Sequence, residues 1–176
     1  MLRFERQPPG TAITRATLVG GSFFLAGAAW LVVARRPEAA AASAALAAIA
    51  LLIGGHRANH GAGGPTDRML DELCDRAWDG AVLGAIAWVA RAEAPSTAVA
   101  ALVALCTSFL SAYVRARGAS LSYSVEESHI TRGVRYALVC AGLAFGWSHW
   151  TLWVAAALSG LAVVVRTSQV AREERA

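Results

Sequence analysis

The chain has 176 residues, of which 56% are hydrophobic and only 16% are charged. Ordinary soluble domains are roughly 45–50% apolar, so this composition excludes a typical soluble domain and predicts an all-α, polytopic membrane bundle. The formal net charge is +4, but no basic stripe is interleaved with aromatic residues, and we therefore expect no nucleic-acid partner. We expect a single domain over residues 1–176.

Six apolar blocks follow one another along the chain and predict six transmembrane helices. They cover about 14–34, 38–55, 67–90, 96–114, 134–147 and 150–165. The last two blocks lie near the lower length limit for a spanning helix, which is about 17 residues. A short polar loop is predicted at 56–66, and the longest polar segment covers 115–133.

The arginines predict the orientation in the membrane. If both termini are cytoplasmic, the outer side carries only Arg35, Arg36 and Arg91. The inner side then carries Arg3, Arg6, Arg15, Arg57, Arg68, Arg115, Arg117, Arg132, Arg135, Arg166, Arg172 and Arg175. Basic residues concentrate on the cytoplasmic side of membrane proteins. We therefore expect a multi-pass protein of the cell membrane with both termini and the acidic segment described next on the cytoplasmic side.

The segment DRMLDELCDRAWDG carries Asp67, Asp71, Asp75 and Asp79 at intervals of four residues. On a helix this spacing places the four carboxylates along one face. A carboxylate in a membrane helix is costly without a cationic partner, so the stripe predicts a metal site or a charged substrate pocket. Asp71 and Asp75, one turn apart, can share Mg²⁺ or Mn²⁺. Asp67 also suits a helix-end ion pair, and Asp79 either supports the ligands or pairs with an arginine of another helix.

Arginines lie at both ends of the polar segment at 115–133. Arg115 and Arg117 follow the fourth apolar block, and Arg132 and Arg135 precede the fifth. Guanidinium groups offer fixed pairs of donors that match a phosphate group. The spacing of three residues puts Arg132 and Arg135 on one helical face, which favours a phosphate pocket over a purely topological role.

These segments together resemble the CDP-alcohol phosphatidyltransferases, especially the actinobacterial phosphatidylinositol-phosphate synthase branch. MLDELCDRAWDGAVLG is similar to the second half of the family signature DxxDGxxAR…GxxxDxxxD, with Asp71 and Asp75 as its last two aspartates. SAYVRARGAS is similar to the family's SYxxARAE segment, and ITRGVRY to its ERPER segment. The first half of the signature is degenerate. Ala50 and Ile53 stand where the family has aspartates, and Gly54 matches its glycine.

The resemblance implies transfer of a phosphatidyl group from CDP-diacylglycerol to an alcohol, which can be phosphorylated, with release of CMP. It implies Mg²⁺ or Mn²⁺ as cofactor, because the family's aspartates hold divalent ions and the last one is the proposed base. It assigns Asp75 as catalytic base, Gly54 to the donor, Asp71, Asp75 and Asp67 to the metal, and Arg115, Arg117, Arg132 and Arg135 to the acceptor phosphate.

The degenerate first half leaves an alternative open. The chain can be a catalytically inactive family member that binds an anionic lipid or sugar phosphate, or that partners an active paralogue. An unrelated small bundle, such as a transporter subunit, is disfavoured by the matched arginine segments. The resemblance also implies a homodimer, and Gly80 and Gly84 on one face of the third helix permit close helix packing.

Overall fold

Six α-helices form the part of the chain that the computed structural model describes, residues 9–59, 64–123 and 129–173. They are α1 (Pro9–Val33), α2 (Pro37–Asn59), α3 (Pro65–Glu93), α4 (Pro95–Ser120), α5 (His129–Phe145) and α6 (Ser148–Glu173). Proline stands at the start of α2, α3 and α4, where its missing N–H group leaves no helical hydrogen bond unmade. The all-α prediction is confirmed.

The helices extend further into the polar segments than predicted. The polar segment at 115–133 is helical at both ends, because α4 continues to Ser120 and α5 begins at His129. Alanine and arginine are good helix formers, and hydrophobicity alone underestimates a helix that continues through them. Likewise α2 runs on to Asn59, so His56 is helical rather than part of a loop, whereas His60 lies outside the described residues.

The prediction of six membrane spans is confirmed only in part. Within the described ranges, four helices are long and apolar enough to cross a membrane, namely α1, α2, α4 and α6. Helix α3 carries the acidic stripe, and α5 has only 17 residues. Several apolar helices of this length nevertheless define a multi-pass membrane protein.

The helices are arranged as a ring in the order α1, α3, α4, α6, α5 and α2, with α2 also touching α3. Helices α3 and α5 thus face each other across the ring. Their contacts are made by side chains, of which the ring pair Trp78 and Tyr136 is the largest, with centroids 4.3 Å apart. Both rings are buried, and the Tyr136 hydroxyl donates to Asp75 of α3.

Small side chains set the close spacing of α1, α2 and α3. Buried alanines of α2, including Ala44 and Ala47, allow its neighbours to approach, and the Trp78 indole N–H donates to the Ala44 carbonyl at 3.4 Å.

At the opposite end from the acidic stripe, Arg35 donates to both carboxylate oxygens of Glu93 at 3.1 and 2.8 Å. These contacts lower the pKa of Glu93 below its ordinary value. Both side chains remain largely exposed.

Candidate active site

Helix α3 presents its four aspartates to the interior of the ring. Asp67, Asp71, Asp75 and Asp79 are exposed by 0, 2, 4 and 0%, respectively. The helix begins directly before the stripe, where Oδ2 of Asp67 accepts the Gly64 N–H at 2.9 Å and satisfies a free donor of the first turn. The predicted acidic face is therefore confirmed, and each buried carboxylate needs a compensating partner.

Asp67 is compensated by α1. Its Oδ1 lies 2.7 Å from Nε of Arg15, while its other oxygen accepts the Gly64 N–H. Both carboxylate oxygens are therefore already engaged. The structure realises the helix-end ion pair for Asp67, but its cation is Arg15 of a neighbouring helix.

Asp71 is compensated by α5 and approached by the backbone of α2. Nη1 of Arg132 donates to both carboxylate oxygens, each at 3.0 Å. A Cβ atom added to Gly55 would lie 2.5 Å from Oδ1 of Asp71. Helix α2 can pass this close to the carboxylate only because position 55 has no side chain.

Asp75 lies at the centre of the polar network. Its Oδ1 accepts a hydrogen bond from Nη2 of Arg135 at 3.0 Å and another from the Tyr136 hydroxyl. Its Oδ2 accepts from Arg76, and Nε of Arg132 lies 3.6 Å from Oδ1. Three guanidinium groups therefore surround this one carboxylate, which is buried to 96%.

Asp79 closes the network at its deep end. Its Oδ1 lies 3.0 Å from Nε of Arg135, an ion pair without hydrogen-bond geometry. Its Oδ2 lies 3.1 Å from Nη1 of Arg76 and accepts from the Ser108 hydroxyl. Asp79 thus pairs with an arginine of another helix, which was one of its two predicted roles. The aspartates at 71, 75 and 79 are balanced by the guanidiniums of residues 76, 132 and 135, as buried charges require.

A basic cavity of about 40 Å³ opens beside this network between α3, α4, α5 and α6. It is lined by five arginines, one aspartate, three serines and two alanines: Arg76, Arg115, Arg132, Arg135, Arg166, Asp75, Ser108, Ser111, Ser159, Ala112 and Ala162. Arg115 reaches Glu72 at 2.9 Å, and Arg166 donates to the Ser111 carbonyl at 2.9 Å. Guanidiniums and hydroxyls around a small space suit a phosphate group.

Of the four arginines predicted for a phosphate, three line this cavity and Arg117 does not. Arg117 is exposed near the end of α4. Sequence reasoning missed Arg76, Tyr136 and Arg166, which all contact the site. Two signals were available, because Arg76 stands three residues before Asp79, and Tyr136 stands four residues after Arg132, in each case on a shared helical face.

The side chains that can act as metal ligands are few in this site. Among the described residues, no group of three or more His, Cys, Asp or Glu side chains is arranged to hold a metal. Mg²⁺ is commonly bound by one or two carboxylates together with substrate phosphates and water. Asp71 and Asp75 supply two such carboxylates, which arginines bind in the structure, and their binding of an ion stays a prediction. Ala50 and Ile53, which stand where the resemblance expects two aspartates, supply no carboxylate, and the Ile53 side chain is largely exposed.

Gly54, which the resemblance assigns to the donor, has a packing role in the described structure. A Cβ atom at this position would lie 2.8 Å from Cδ2 of Leu18. The glycine therefore allows α1 and α2 to pack closely against each other. Its contact with the CDP-diacylglycerol donor stays a prediction.

Adding one methyl group at Gly55 tests the close approach to Asp71. Gly55→Ala should destabilise the protein by about 1–3 kcal/mol, because the new Cβ atom forces the buried carboxylate or α2 to move. Thermal unfolding in detergent measures the effect. Gly20→Ala is the matched control, since no described atom lies within 4 Å of a Cβ there. An equal melting temperature for both variants would contradict the geometry.

The fold and the site define a helical membrane protein in which a buried acidic face adjoins a small cavity lined by arginines. No protein-family model matches the chain. It is 31% identical to the phosphatidylinositol phosphate synthase of Mycolicibacterium smegmatis over 93% of this chain and 80% of that protein. It is 32% identical to the synthase of Mycobacteroides abscessus over 93% of this chain and 82% of that protein.

Solved structures agree with these relatives. The crystal structure of Mycobacterium tuberculosis phosphatidylinositol phosphate synthase with CDP-DAG bound superposes with a TM-score of 0.76 at 25% identity, covering 90% of this chain and 85% of that one. The same protein in complex with manganese and citrate gives a TM-score of 0.75 at 24% identity, covering 92% and 88% of the two chains, and supports the fold alone.

The chain therefore belongs to the CDP-alcohol phosphatidyltransferase family, which acts in phospholipid biosynthesis and includes the phosphatidylinositol phosphate synthases. The resemblance found in its motifs is confirmed. The relatives are named as synthases, so the comparisons give no support to the inactive alternative.

Proposed function

We propose that this chain transfers a phosphatidyl group from a CDP-diacylglycerol donor to a phosphorylated alcohol and releases CMP. The relatives named as phosphatidylinositol phosphate synthases support the reaction class, and the M. tuberculosis structure with CDP-DAG supports the donor. The observation that carries the proposal is the contact between the Asp71–Asp75 carboxylates and a cavity lined by five arginines.

The acceptor phosphate is held by the cavity. Arg115, Arg132 and Arg135 line it as the sequence predicts, and Arg76 and Arg166 add two further guanidiniums. A phosphate group there carries enough negative charge to compete with the carboxylates for Arg132 and Arg135. Because its hydroxyl end then lies beside Asp75, the cavity orients the acceptor toward the reacting phosphorus.

Asp75 is the proposed general base. It takes the proton of the acceptor hydroxyl while the oxygen bonds to the phosphorus that carries the diacylglycerol, and the bond from that phosphorus to the CMP oxygen breaks. A divalent ion, when bound, would neutralise the charge that develops on the diphosphate oxygens. Asp71 and Asp75 would hold it. Asp67 stays the third predicted ligand, and like Asp71 and Asp75 it has both carboxylate oxygens engaged in the structure.

The orientation proposed from the sequence puts this site on the cytoplasmic side. The ion pairs of Arg15, Arg115 and Arg132 lie at the end of the bundle where α3 begins, while the Arg35–Glu93 pair lies at the other end. The arginine excess at the site's end supports a cytoplasmic location for both termini. Arg3, Arg6 and Arg175 lie outside the described residues.

CMP release tests the proposed function. Purified protein should release CMP from CDP-diacylglycerol only when Mg²⁺ or Mn²⁺ and an acceptor are both present, with inositol phosphate and glycerol phosphate as the first acceptors. Acceptors without phosphate should give far lower rates, because the arginine cavity then has no anion to bind. Absence of release with every acceptor, beside an active family control, would overturn the proposal.

A homodimer formed through α3 is part of the proposal. A Cβ atom at Gly80 or Gly84 would meet no described atom within 4 Å. Glycine inside a helix costs about 1 kcal/mol relative to alanine, and packing within the described chain does not require it at either position. Close approach of a helix from a second copy would require it.

The double variant Gly80→Leu and Gly84→Leu should convert the dimer to a monomer while leaving the melting temperature of the monomer nearly unchanged. Light scattering coupled to size-exclusion chromatography in detergent gives the mass. Gly20→Leu on α1 serves as the control, since its Cβ position is equally open. A dimer mass that persists in the double variant would contradict this interface.

A further inference from the structure

Asp75 has four polar partners among the described residues. Three are guanidiniums, those of Arg76, Arg132 and Arg135. The fourth is the hydroxyl of Tyr136 on α5, which donates to Oδ1 of the carboxylate. All three arginines line the basic cavity, whereas Tyr136 is not part of its wall. Tyr136 is therefore the described partner of Asp75 that carries no charge and lies outside the proposed acceptor site.

Packing fixes the Tyr136 ring. The residue is 2% exposed, and its ring centroid lies 4.3 Å from that of the fully buried Trp78 on α3. The Trp78 indole N–H in turn donates to the Ala44 carbonyl of α2 at 3.4 Å. Side chains locked by packing hold a functional group more precisely than mobile ones. The Tyr136 hydroxyl is thus a pre-positioned donor, and Asp75 is the acceptor that a buried phenol requires.

The arginines and the tyrosine respond differently to an acceptor. A guanidinium has several N–H donors, and those of the cavity can turn toward a phosphate group that binds there. The geometry of their contacts with Asp75 then depends on the bound acceptor. The hydrogen bond from Tyr136 does not depend on it, because the tyrosine lies outside the cavity and its ring is fixed by Trp78.

This difference gives the hydroxyl a role in the reaction. Orientation matters for a general base, since a misplacement of about 1 Å can cost about 10²-fold in rate. We propose that Tyr136 is a positioning residue, whose hydroxyl keeps the Asp75 carboxylate aligned with the acceptor hydroxyl while the phosphate of the acceptor occupies the arginines. The inference rests on the proposed function, in which Asp75 is the base.

Tyr136→Phe tests this role, because it removes the hydroxyl and keeps the ring that packs against Trp78. The kcat of CMP release should fall about 10- to 100-fold, the usual cost of losing a group that orients a functional side chain from behind. The KM for inositol phosphate should stay at the wild-type value, because the cavity arginines are unchanged. The melting temperature in detergent reports whether the variant is folded.

Tyr113→Phe on α4 is the matched control. Its side chain is 65% exposed and does not line the cavity, so loss of this hydroxyl should leave both kcat and KM unchanged. If Tyr136→Phe fails to fold, Tyr136→Met repeats the test, since methionine adapts its shape to a buried space and donates no hydrogen bond. The same loss of kcat is expected.

A double variant separates positioning of Asp75 from a merely structural role. Adding Tyr136→Phe to Asp75→Asn should cause no further loss of kcat, because no base remains to be aligned. A hydroxyl that only stabilised the fold would lower the rate by the same factor in both backgrounds.

The outcomes distinguish this inference from the proposed function. A folded Tyr136→Phe variant with the wild-type kcat would overturn the positioning role, as would a loss confined to KM or an equal loss in both backgrounds. In each of these cases the wild type still releases CMP, and the proposed function stands. A wild-type protein that releases no CMP with any acceptor would overturn the proposed function and this inference with it.

Discussion

Asp75→Asn should lower the rate of CMP release by about 10²- to 10⁴-fold, the range that general-base catalysis contributes. Asparagine keeps the shape of the side chain and can still accept the hydrogen bond of the Tyr136 hydroxyl. It cannot take a proton from the acceptor, and it supplies no charge for a cation. The loss should therefore appear mainly in kcat, measured by CMP release at saturating CDP-diacylglycerol and inositol phosphate.

Two measurements keep this result interpretable. Glu93→Gln on the same helix removes a carboxylate from the exposed pair at the far end of the bundle, and it should leave kcat unchanged. The melting temperature of Asp75→Asn shows whether the fold survives the loss of a charge that three arginines contact. An Asp75→Asn variant that is folded and keeps more than about a tenth of the wild-type rate would exclude Asp75 as the base.

Asp79→Ala should be the most destabilising single change in the network, costing about 3–5 kcal/mol of unfolding free energy. The carboxylate is fully buried and faces Arg135 on one oxygen and Arg76 and Ser108 on the other. Its removal leaves the buried guanidinium of Arg135 and the half-buried one of Arg76 with Asp75 as their remaining partner in α3. Chemical or thermal unfolding in detergent micelles measures the difference from the wild type.

Glu93→Ala is the matched control, because it also removes an arginine-paired carboxylate from α3. The Glu93 side chain is 65% exposed, whereas that of Asp79 is 0% exposed. Exposed ion pairs contribute little to stability, so the control should melt close to the wild type. Equal melting temperatures for the two variants would show that burial of the network does not carry the stability assigned to it.

The acidic face was predictable from the sequence because its information is local. Four aspartates at intervals of four residues can share one helical face whatever the rest of the chain does. The same holds for Arg132 and Arg135, whose spacing already placed them side by side. The family resemblance, drawn from these segments, was confirmed by relatives that cover most of the chain.

The pairing between those faces was not predictable, because it depends on how the helices are arranged in the ring. From the sequence, Asp71 was expected to bind a metal ion or a charged substrate, and Arg132 was expected to bind a phosphate group. In the structure these two side chains are each other's partners, 3.0 Å apart across the interior. Arg15 and Arg166 were missed for the same reason, since each meets its partner from a distant part of the chain.

Helix ends were the least reliable part of the sequence analysis. Hydropathy shows where the apolar part of a helix ends. Helices α4 and α6 continue for several residues beyond the ends of their apolar blocks. The RAR segment is part of α4, which holds Arg115 at a fixed position beside the cavity. Within the described ranges, four helices are long and apolar enough to span a membrane, and α3 and α5 carry polar residues of the site.

The lipid product identifies the proposed transfer most directly. Purified protein is incubated with CDP-diacylglycerol, Mn²⁺ and isotopically labelled inositol phosphate. The lipid extract is then analysed by mass spectrometry. The proposed function predicts a labelled phosphatidylinositol phosphate that retains the acceptor's phosphate and forms in equal amount to CMP. Phosphatidic acid in place of that product would show hydrolysis instead of transfer. Absence of any new lipid, beside an active family control, would contradict catalysis by this chain.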